Sequence, residues 1–367
     1  MDKFCVFCGE RPVSKNREHV IPDWLIRMTG DPKRSVYLGR DWMSPGSDVR
    51  KYSLGAYTFP ACKECNQRFS DLEDRAGSIV EAILAREALA ADAWSTFLDW
   101  LDKVRIGLWL GSLYLNKNSL GITPHFHIQE RLGLADRFVV VYETERDGFT
   151  GVGWSGTDSP LFGSMPSCFV LSINDFVFLS ASTLFLFSER FGFPYLAGTE
   201  ASQDGSGYSV TLAEGTMRHR LPLVKWNFPT GGTHLWQPMV PWRVLADMGR
   251  EWDGLADFYD SDFVRHSCMD FAAGTGKVFM REGGRLVPYP AEASREWIPG
   301  RVLPKKPTWY RTHLAAGKYL EKLVKDDPLM GLVRGREQPA ARKQREAVIA
   351  VHRALMSNLV QHREMYF

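Results

Sequence analysis

Four of the six cysteines form two CxxC pairs, and these pairs constrain the N-terminal part of the chain more than any other feature. The first pair is Cys5 and Cys8 in "CVFC", the second is Cys62 and Cys65 in "CKEC", and 53 residues separate the pairs. A CxxC turn directs both sulfurs to one metal ion, and two such pairs supply the four thiolates of a tetrahedral zinc site. The intervening segment must then fold back so that the pairs meet. The alternative is a redox-active CxxC with a coincidental second pair.

A zinc ion with four protein ligands has no coordination position left for a substrate, so a zinc here is expected to be structural. Such an ion clamps the segment between the pairs and contributes a large share of the stability of a small module. The other two cysteines, Cys168 and Cys268, stand alone in the sequence and are predicted to be ordinary buried thiols.

The composition of the 367-residue chain is that of a globular protein, with 44% hydrophobic and 24% charged residues. No run of about 18 apolar residues indicates a transmembrane helix, and "MDKFCVFCGE" lacks the apolar core of a signal peptide. These features predict a cytoplasmic protein without membrane association, in which structural disulfides are rare.

The charge is distributed unevenly, although the net charge is only +2. Residues 301–367 contain 14 Lys or Arg and 6 Asp or Glu. A basic C-terminal segment is compatible with nucleic-acid binding, and equally with a solvated helical face.

Hydrophobic patterns indicate an α+β fold in three parts. Residues 1–85 combine short turns and a strand with a helix after the second cysteine pair, where apolar residues recur every three or four positions. Residues 86–240 are predicted to form a helical connector and then a β-rich region. Residues 241–367 are predicted to be mixed, with basic helices over 308–325 and 340–364.

More local predictions concern the middle of the chain. Residues 86–116 are expected to form one or two helices, with Ser95 as a plausible N-cap and with Lys103 and Arg105 on the wetter face. Short runs rich in β-branched and aromatic residues then indicate strands: "RFVVVYE", "SCFVLSIN", "DFVFLSAS" and "TLFLFSE".

Between the cysteine pairs the chain reads "SKNREHVIPDWL", which places Glu18 beside His19. Alone, such a pair is most often an exposed turn. With "CVFC", "EHVIP" and "CKECN" in that order, the segment from Cys5 to Glu73 resembles the HNH endonuclease module of the ββα-metal (His-Me finger) superfamily. The resemblance covers about a fifth of the chain and implies a zinc-stabilised ββα module at the N-terminus.

The resemblance implies roles for three residues. His19 matches the His that acts as general base on the attacking water, and Glu18 matches an acidic residue that helps to hold a divalent metal ion. Asn66 matches the second motif position, which ligates the metal or orients the base. Two features depart from the commonest pattern. Asn66 stands where His is commonest, and the segment from Pro22 to Cys62 is long, so that the mid-motif Asn is unassigned.

Oxygen ligands such as Glu18 and the Asn66 amide suit Mg²⁺ or Mn²⁺, and a neutral imidazole accepts a proton from water. In an extended segment Glu18 and His19 point to opposite sides, so either the chain bends at Pro22 or Glu18 acts indirectly. Glu73 follows Asn66 by two helical turns on the same side and is a further candidate ligand, or else a surface carboxylate.

Three basic residues, Arg17, Lys63 and Arg68, flank the proposed site and are expected either to hold phosphates or to be solvated. The resemblance thus implies a metal-dependent HNH endonuclease, with double-stranded DNA as the expected substrate. Residues 86–367 are expected to bind substrate, a regulatory ligand or a partner protein, and this architecture suggests a role in defence against phage. The alternatives are a non-catalytic zinc protein that binds nucleic acid and a nuclease for RNA or single strands.

Overall fold

Helices and strands occur together in the computed structural model, in agreement with an α+β class. The residues that it describes are 4–12, 16–38, 50–115, 136–148, 150–183, 186–191, 193, 195–201, 208–213, 231–239, 268–270, 275–282, 284–292, 301–326 and 339–363. The helices are α1 (Asp23–Met28), α2 (Lys63–Ala85), α3 (Ala91–Leu115), α4 (Pro160–Ser164), α5 (Leu186–Phe191), α6 (Lys305–Asp326) and α7 (Pro339–Gln361). The strands are β1 (Asn16–His19), β2 (Ser35–Leu38), β3 (Arg50–Ser53), β4 (Thr58–Ala61), β5 (Asp136–Glu143), β6 (Val152–Ser155), β7 (Cys168–Ile173), β8 (Phe176–Thr183), β9 (Tyr195–Ala201), β10 (Tyr208–Ala213), β11 (Thr233–Pro238), β12 (Cys268–Asp270), β13 (Thr275–Gly276), β14 (Phe279–Glu282) and β15 (Arg285–Pro288).

The N-terminal part of the chain is built on a two-stranded antiparallel sheet, in which β1 pairs with β4 and Glu18 lies opposite Phe59. Between these strands, α1 begins directly after Pro22, β2 pairs with β3, and Leu54–Ala56 form a short 3₁₀ turn. The chain passes from β4 directly into α2. The sheet and the first turns of α2 are therefore held side by side.

A seven-stranded antiparallel sheet lies at the centre of the fold, in the order β15–β14–β11–β5–β8–β7–β6. It takes strands from both sides of residue 240. The strands β5 and β8 are buried along their whole length, which requires cover on both faces of the sheet. Helix α3 packs against β8, while α6 packs against β7 and β8.

Helix α3 joins the small sheet to the large one. It contacts both α2 and β8, and two of its glycines allow a close approach to the N-terminal strands. Gly107 lies against Val20, and Gly111 lies against Tyr57 and Phe59. One apolar core therefore runs from the N-terminal turn through α3 and the sheet to Ile349 of α7.

Arg86 makes a second link between α2 and the large sheet. It ends α2 in the left-handed conformation, with φ at 64°. Its Nε donates to Glu143 at the end of β5 across 2.7 Å, and its Nη2 pairs with Asp175 in the turn between β7 and β8. Both ends of α2 are consequently tied to neighbouring elements.

The predictions of an N-cap and of a wetter face within residues 86–116 are wrong. Helix α3 begins at Ala91, so that Ser95 lies inside the helix instead of capping it. Lys103 and Arg105 do not face water, since they are only 4% and 1% exposed. The reason is that α3 lies between α2 and the large sheet, which leaves it no wet face at these positions.

The run "TLFLFSE" is also predicted wrongly, because its described end belongs to helix α5 and not to a strand. The carboxylate of Asp136 accepts a hydrogen bond of 2.7 Å from the backbone N–H of Ser188. The carboxylate thereby satisfies one of the backbone N–H groups in the first turn of the helix, which have no acceptor within the helix itself. The contact is long-range and carries no local sequence signal.

Other local predictions are confirmed. The first three apolar runs form β5, β7 and β8, and the two C-terminal helices form α6 and α7. Cys168 is fully buried, whereas Cys268 belongs to a strand whose side-chain burial lies outside the described part of the chain. Among the described residues, no helix has both the length and the apolar character needed to cross a bilayer.

Replacing Gly111 by Ala is expected to destabilise the protein, because the added Cβ would overlap the Tyr57 hydroxyl and lie 2.6 Å from Cζ of Phe59. Overpacking of this kind costs about 1–3 kcal/mol. The measurement is the midpoint of thermal unfolding, which should fall.

Gly77→Ala in α2 is the matched control. Its Cβ would lie 3.7 Å from the Trp24 ring, an ordinary contact, and Ala is favoured over Gly in a helix by about 1 kcal/mol. The midpoint should stay unchanged or rise. Equal destabilisation by the two substitutions would contradict the close approach of α3 to β4.

Candidate functional site

The four N-terminal cysteines meet in one cluster, which could bind a metal ion such as zinc. Their Sγ atoms all lie within 4.8 Å of one another, and the sulfurs of Cys8 and Cys62 are 3.9 Å apart. A tetrahedral zinc with Zn–S bonds of about 2.3 Å places its sulfurs about 3.8 Å apart. The observed spacing and the all-thiol donor set therefore fit zinc.

Local structure brings each pair to this cluster. Cys5 and Cys8 lie in a turn that is closed by a 2.8 Å hydrogen bond from the N–H of Gly9 to the carbonyl of Cys5. Gly9 adopts φ of 76°, a left-handed conformation that favours glycine. Cys62 occupies the N-cap position of α2 and Cys65 lies in its first turn, so the start of this helix presents both sulfurs of the second pair.

The crowded thiols resist ionisation together when no cation is bound. Burial, and after it the neighbouring thiols, raise the pKa of Cys62 and of Cys65 to about 12. Burial raises the pKa of Cys5 as well, but backbone N–H hydrogen bonds, first from Cys62, bring it below the usual value. Several thiolates this close repel one another unless a metal ion binds them.

Zinc analysis of the purified protein should find about one ion per chain. Cys5→Ser with Cys62→Ser is expected to lose that zinc and to lower the unfolding midpoint, because two of the four ligands are gone. Cys168→Ala is the control, since this buried thiol is isolated from the cluster and its loss should leave the zinc content unchanged. Undiminished zinc in the double variant would contradict the four-cysteine site.

A cleft of about 310 Å³ opens next to this cluster, between β1 and one face of α2. From α2, Asn66, Ser70 and Glu73 line it, at a spacing that places them on one side of the helix. Its remaining lining residues are Asn16, Arg17, Glu18, His19, Asp23, Trp24, Lys63 and Gln67. The three residues matched to the HNH motif thus share one cleft.

His19 is half-buried at the end of β1, and its ring is held by the main chain. Its Nε2 lies 3.1 Å from the carbonyl oxygen of Gly55, in the 3₁₀ turn before β4. A carbonyl oxygen only accepts hydrogen bonds, so Nε2 must carry the proton of the neutral ring. The lone pair is then on Nδ1, which makes Nδ1 the basic atom of His19.

Glu18 alternates with His19 along β1, as expected for a strand, and it is 5% exposed. Its Oε1 accepts a 2.6 Å hydrogen bond from Nζ of Lys103 on α3, and the same ammonium donates to Oε1 of Glu73. Burial raises the pKa of Glu18, the Lys103 ammonium lowers it and Glu73 raises it, with a net upward shift. Glu18 and Glu73 are therefore joined through one lysine.

Two aromatic rings complete the surroundings of Lys103. Its Nζ lies 5.4 Å from the ring centre of Phe7 and 5.8 Å from that of Phe69. Phe7 belongs to the turn of the first cysteine pair, and it stacks on Phe69 of α2 at 4.5 Å. The cysteine turn, β1, α2 and α3 consequently converge on one buried ammonium.

Sequence reasoning missed Lys103, although a signal was present. Asp102, Lys103 and Arg105 lie within the most apolar part of α3, and charged residues in such a setting are normally paired. Arg105 and Asp102 pair with each other at 2.7 Å, and Arg105 also donates to the carbonyl of Pro166. The sequence does not show which carboxylates pair with Lys103, because Glu73 lies 30 positions and Glu18 lies 85 positions away from it.

The oxygen atoms of Glu18, Asn66 and Glu73 are the donor type that Mg²⁺ and Mn²⁺ prefer. In the described part of the chain, only the four cysteines bring three or more His, Cys, Asp or Glu donor atoms within 4.8 Å of one another. The donor type in the cleft suits a hard divalent cation, while Lys103 already lies between two of its three carboxylates, those of Glu18 and Glu73.

Basic side chains lie along the cleft and beyond it. Arg17 and Lys63 are exposed and line it, whereas Arg68 is exposed on α2 but does not line it. A second open cleft of about 540 Å³ adjoins the first at His19 and contains Arg27 and Lys33. His19 thus lies between two open grooves, each of which contains basic side chains beside carboxylates.

Comparison with known proteins found no matching family model, no matching curated protein and no matching solved structure.

Proposed function

We propose that the chain is a metal-dependent endonuclease of the HNH type, which hydrolyses phosphodiester bonds in DNA with His19 as general base. The observation that carries this proposal is the placement of His19. The Gly55 carbonyl fixes its ring so that the basic Nδ1 remains to accept a proton, in a cleft that also contains Glu18, Asn66 and Glu73.

The order of the elements around His19 supports the proposal. The strand β1 pairs with β4, β4 is followed directly by α2, and the four-thiol cluster lies where β4 enters that helix. This is the order that the resemblance to HNH modules implies. The cluster ties the segment with His19 to the helix with Asn66, so a zinc ion there would stabilise the catalytic geometry without taking part in it.

Hydrolysis of a phosphodiester needs an activated water and stabilisation of charge on the phosphate. Nδ1 of His19 would remove the proton from water, while Nε2 stays hydrogen-bonded to Gly55 and keeps the ring in one orientation. Glu18, Asn66 and Glu73 are the residues that would hold Mg²⁺ or Mn²⁺, and a bound ion would neutralise charge that develops on the phosphate oxygens.

The surroundings of the cleft favour a long anionic substrate. Two open grooves meet at His19, so a strand could continue on both sides of the bond that is cut. Exposed Arg17 and Lys63 on one side, and Lys33 on the other, supply charges for phosphate contacts. These contacts carry no base-specific information, so the preference for DNA over RNA is part of the proposal.

Nicking of a supercoiled plasmid with Mg²⁺ or Mn²⁺ tests the proposal. The wild type should nick the plasmid, and His19→Ala should reduce the rate by about 100-fold or more, since removal of a general base typically costs 10²–10⁴ in rate. His362→Ala, which removes an exposed histidine at the end of α7, is the control and should retain the wild-type rate.

Labelled single-stranded DNA and RNA belong in the same assay. Cleavage of RNA alone would show that the substrate is RNA and not DNA. Binding of nucleic acid without cleavage under either metal would overturn it in favour of a non-catalytic zinc protein. Equal rates for wild type and His19→Ala would show that His19 is not the base.

A further inference from the structure

Lys103 comes from α3, outside the segment that resembles an HNH module, and yet its ammonium lies within the candidate site. It is 4% exposed and donates to one oxygen each of Glu18 and Glu73. A buried lysine needs close partners of opposite charge, and these two carboxylates are the ones that it has. The triad therefore carries a net charge of −1 when all three groups are ionised.

The two carboxylates of this triad are also the hard oxygen donors that a divalent cation would use. An ammonium and a divalent ion between the same two carboxylates would repel each other strongly, because water that would screen them is largely excluded. Lys103 also cannot relax into the open cleft without cost, since the rings of Phe7 and Phe69 flank its ammonium.

We propose that Lys103 competes with the divalent metal ion for Glu18 and Glu73, and thereby sets the metal concentration at which the cleft is loaded. The consequence for cleavage rests on the proposed nuclease function, whereas the competition itself does not. Because α3 also packs on β8, the position of Lys103 depends on the large sheet.

Mn²⁺ binding to the full-length, zinc-loaded protein tests this inference, with free Mn²⁺ followed by electron paramagnetic resonance. Lys103→Met removes the charge and keeps an unbranched stem, so it should bind Mn²⁺ at least about tenfold more tightly than the wild type. Lys103→Arg keeps the charge and should bind Mn²⁺ as weakly as the wild type. Adding Glu18→Gln to Lys103→Met should abolish the gain.

Mn²⁺ binding by Lys103→Met that is no tighter than that of the wild type would overturn the proposal. If Lys103→Met folds poorly because two carboxylates are left facing each other, thermal unfolding provides the readout. Mn²⁺ should then raise the midpoint of Lys103→Met by more than it raises that of the wild type, and an equal or smaller shift would contradict the competition.

Plasmid nicking separates this inference from the proposed function. If Lys103→Met binds Mn²⁺ more tightly but neither protein nicks the plasmid, the competition is supported and the nuclease function is contradicted. If the wild type nicks the plasmid but Lys103→Met gains no Mn²⁺ affinity, the nuclease function is supported and the competition is contradicted.

Discussion

The candidate site depends on the ion pairs that the buried ammonium of Lys103 forms with Glu18 and Glu73. The ammonium fixes Glu18 on β1 and Glu73 on α2 from a third element, α3, and it lies against Phe7 in the turn of the first cysteine pair. Loss of one partner from a buried ion pair typically costs about 3–5 kcal/mol, because the other charges remain buried. The positions of both carboxylates are therefore set by a residue far along the chain, and by how α3 packs on the large sheet.

Two constraints of different chemistry hold the cleft together. The four thiols bring the segment before β1 to the start of α2, and Lys103 joins β1 to the third turn of the same helix. His19 lies between them, held by the Gly55 carbonyl. The first constraint lies within the N-terminal part of the chain, whereas the second comes from α3, which also packs on β8.

Part of this arrangement was predictable. The CxxC spacing predicted the thiol cluster, and the three- and four-residue spacing of apolar residues predicted α2 and placed Asn66 and Glu73 on one side of it. The pairing of Lys103 with Glu18 and Glu73 was not predictable, because it joins residues far apart in sequence. For the same reason, helix α5 was mistaken for a strand: its first turn is satisfied by Asp136 from another element.

In the proposed reaction, a water molecule that is activated at His19 attacks the phosphodiester. Cleavage in water enriched in ¹⁸O, followed by mass spectrometry of the new ends, tests it most directly. One ¹⁸O atom should appear on the phosphate end that the wild type produces with Mg²⁺ or Mn²⁺, and His19→Ala should yield almost none of this product. A phosphate end without ¹⁸O, or the same yield from His19→Ala, would contradict the account.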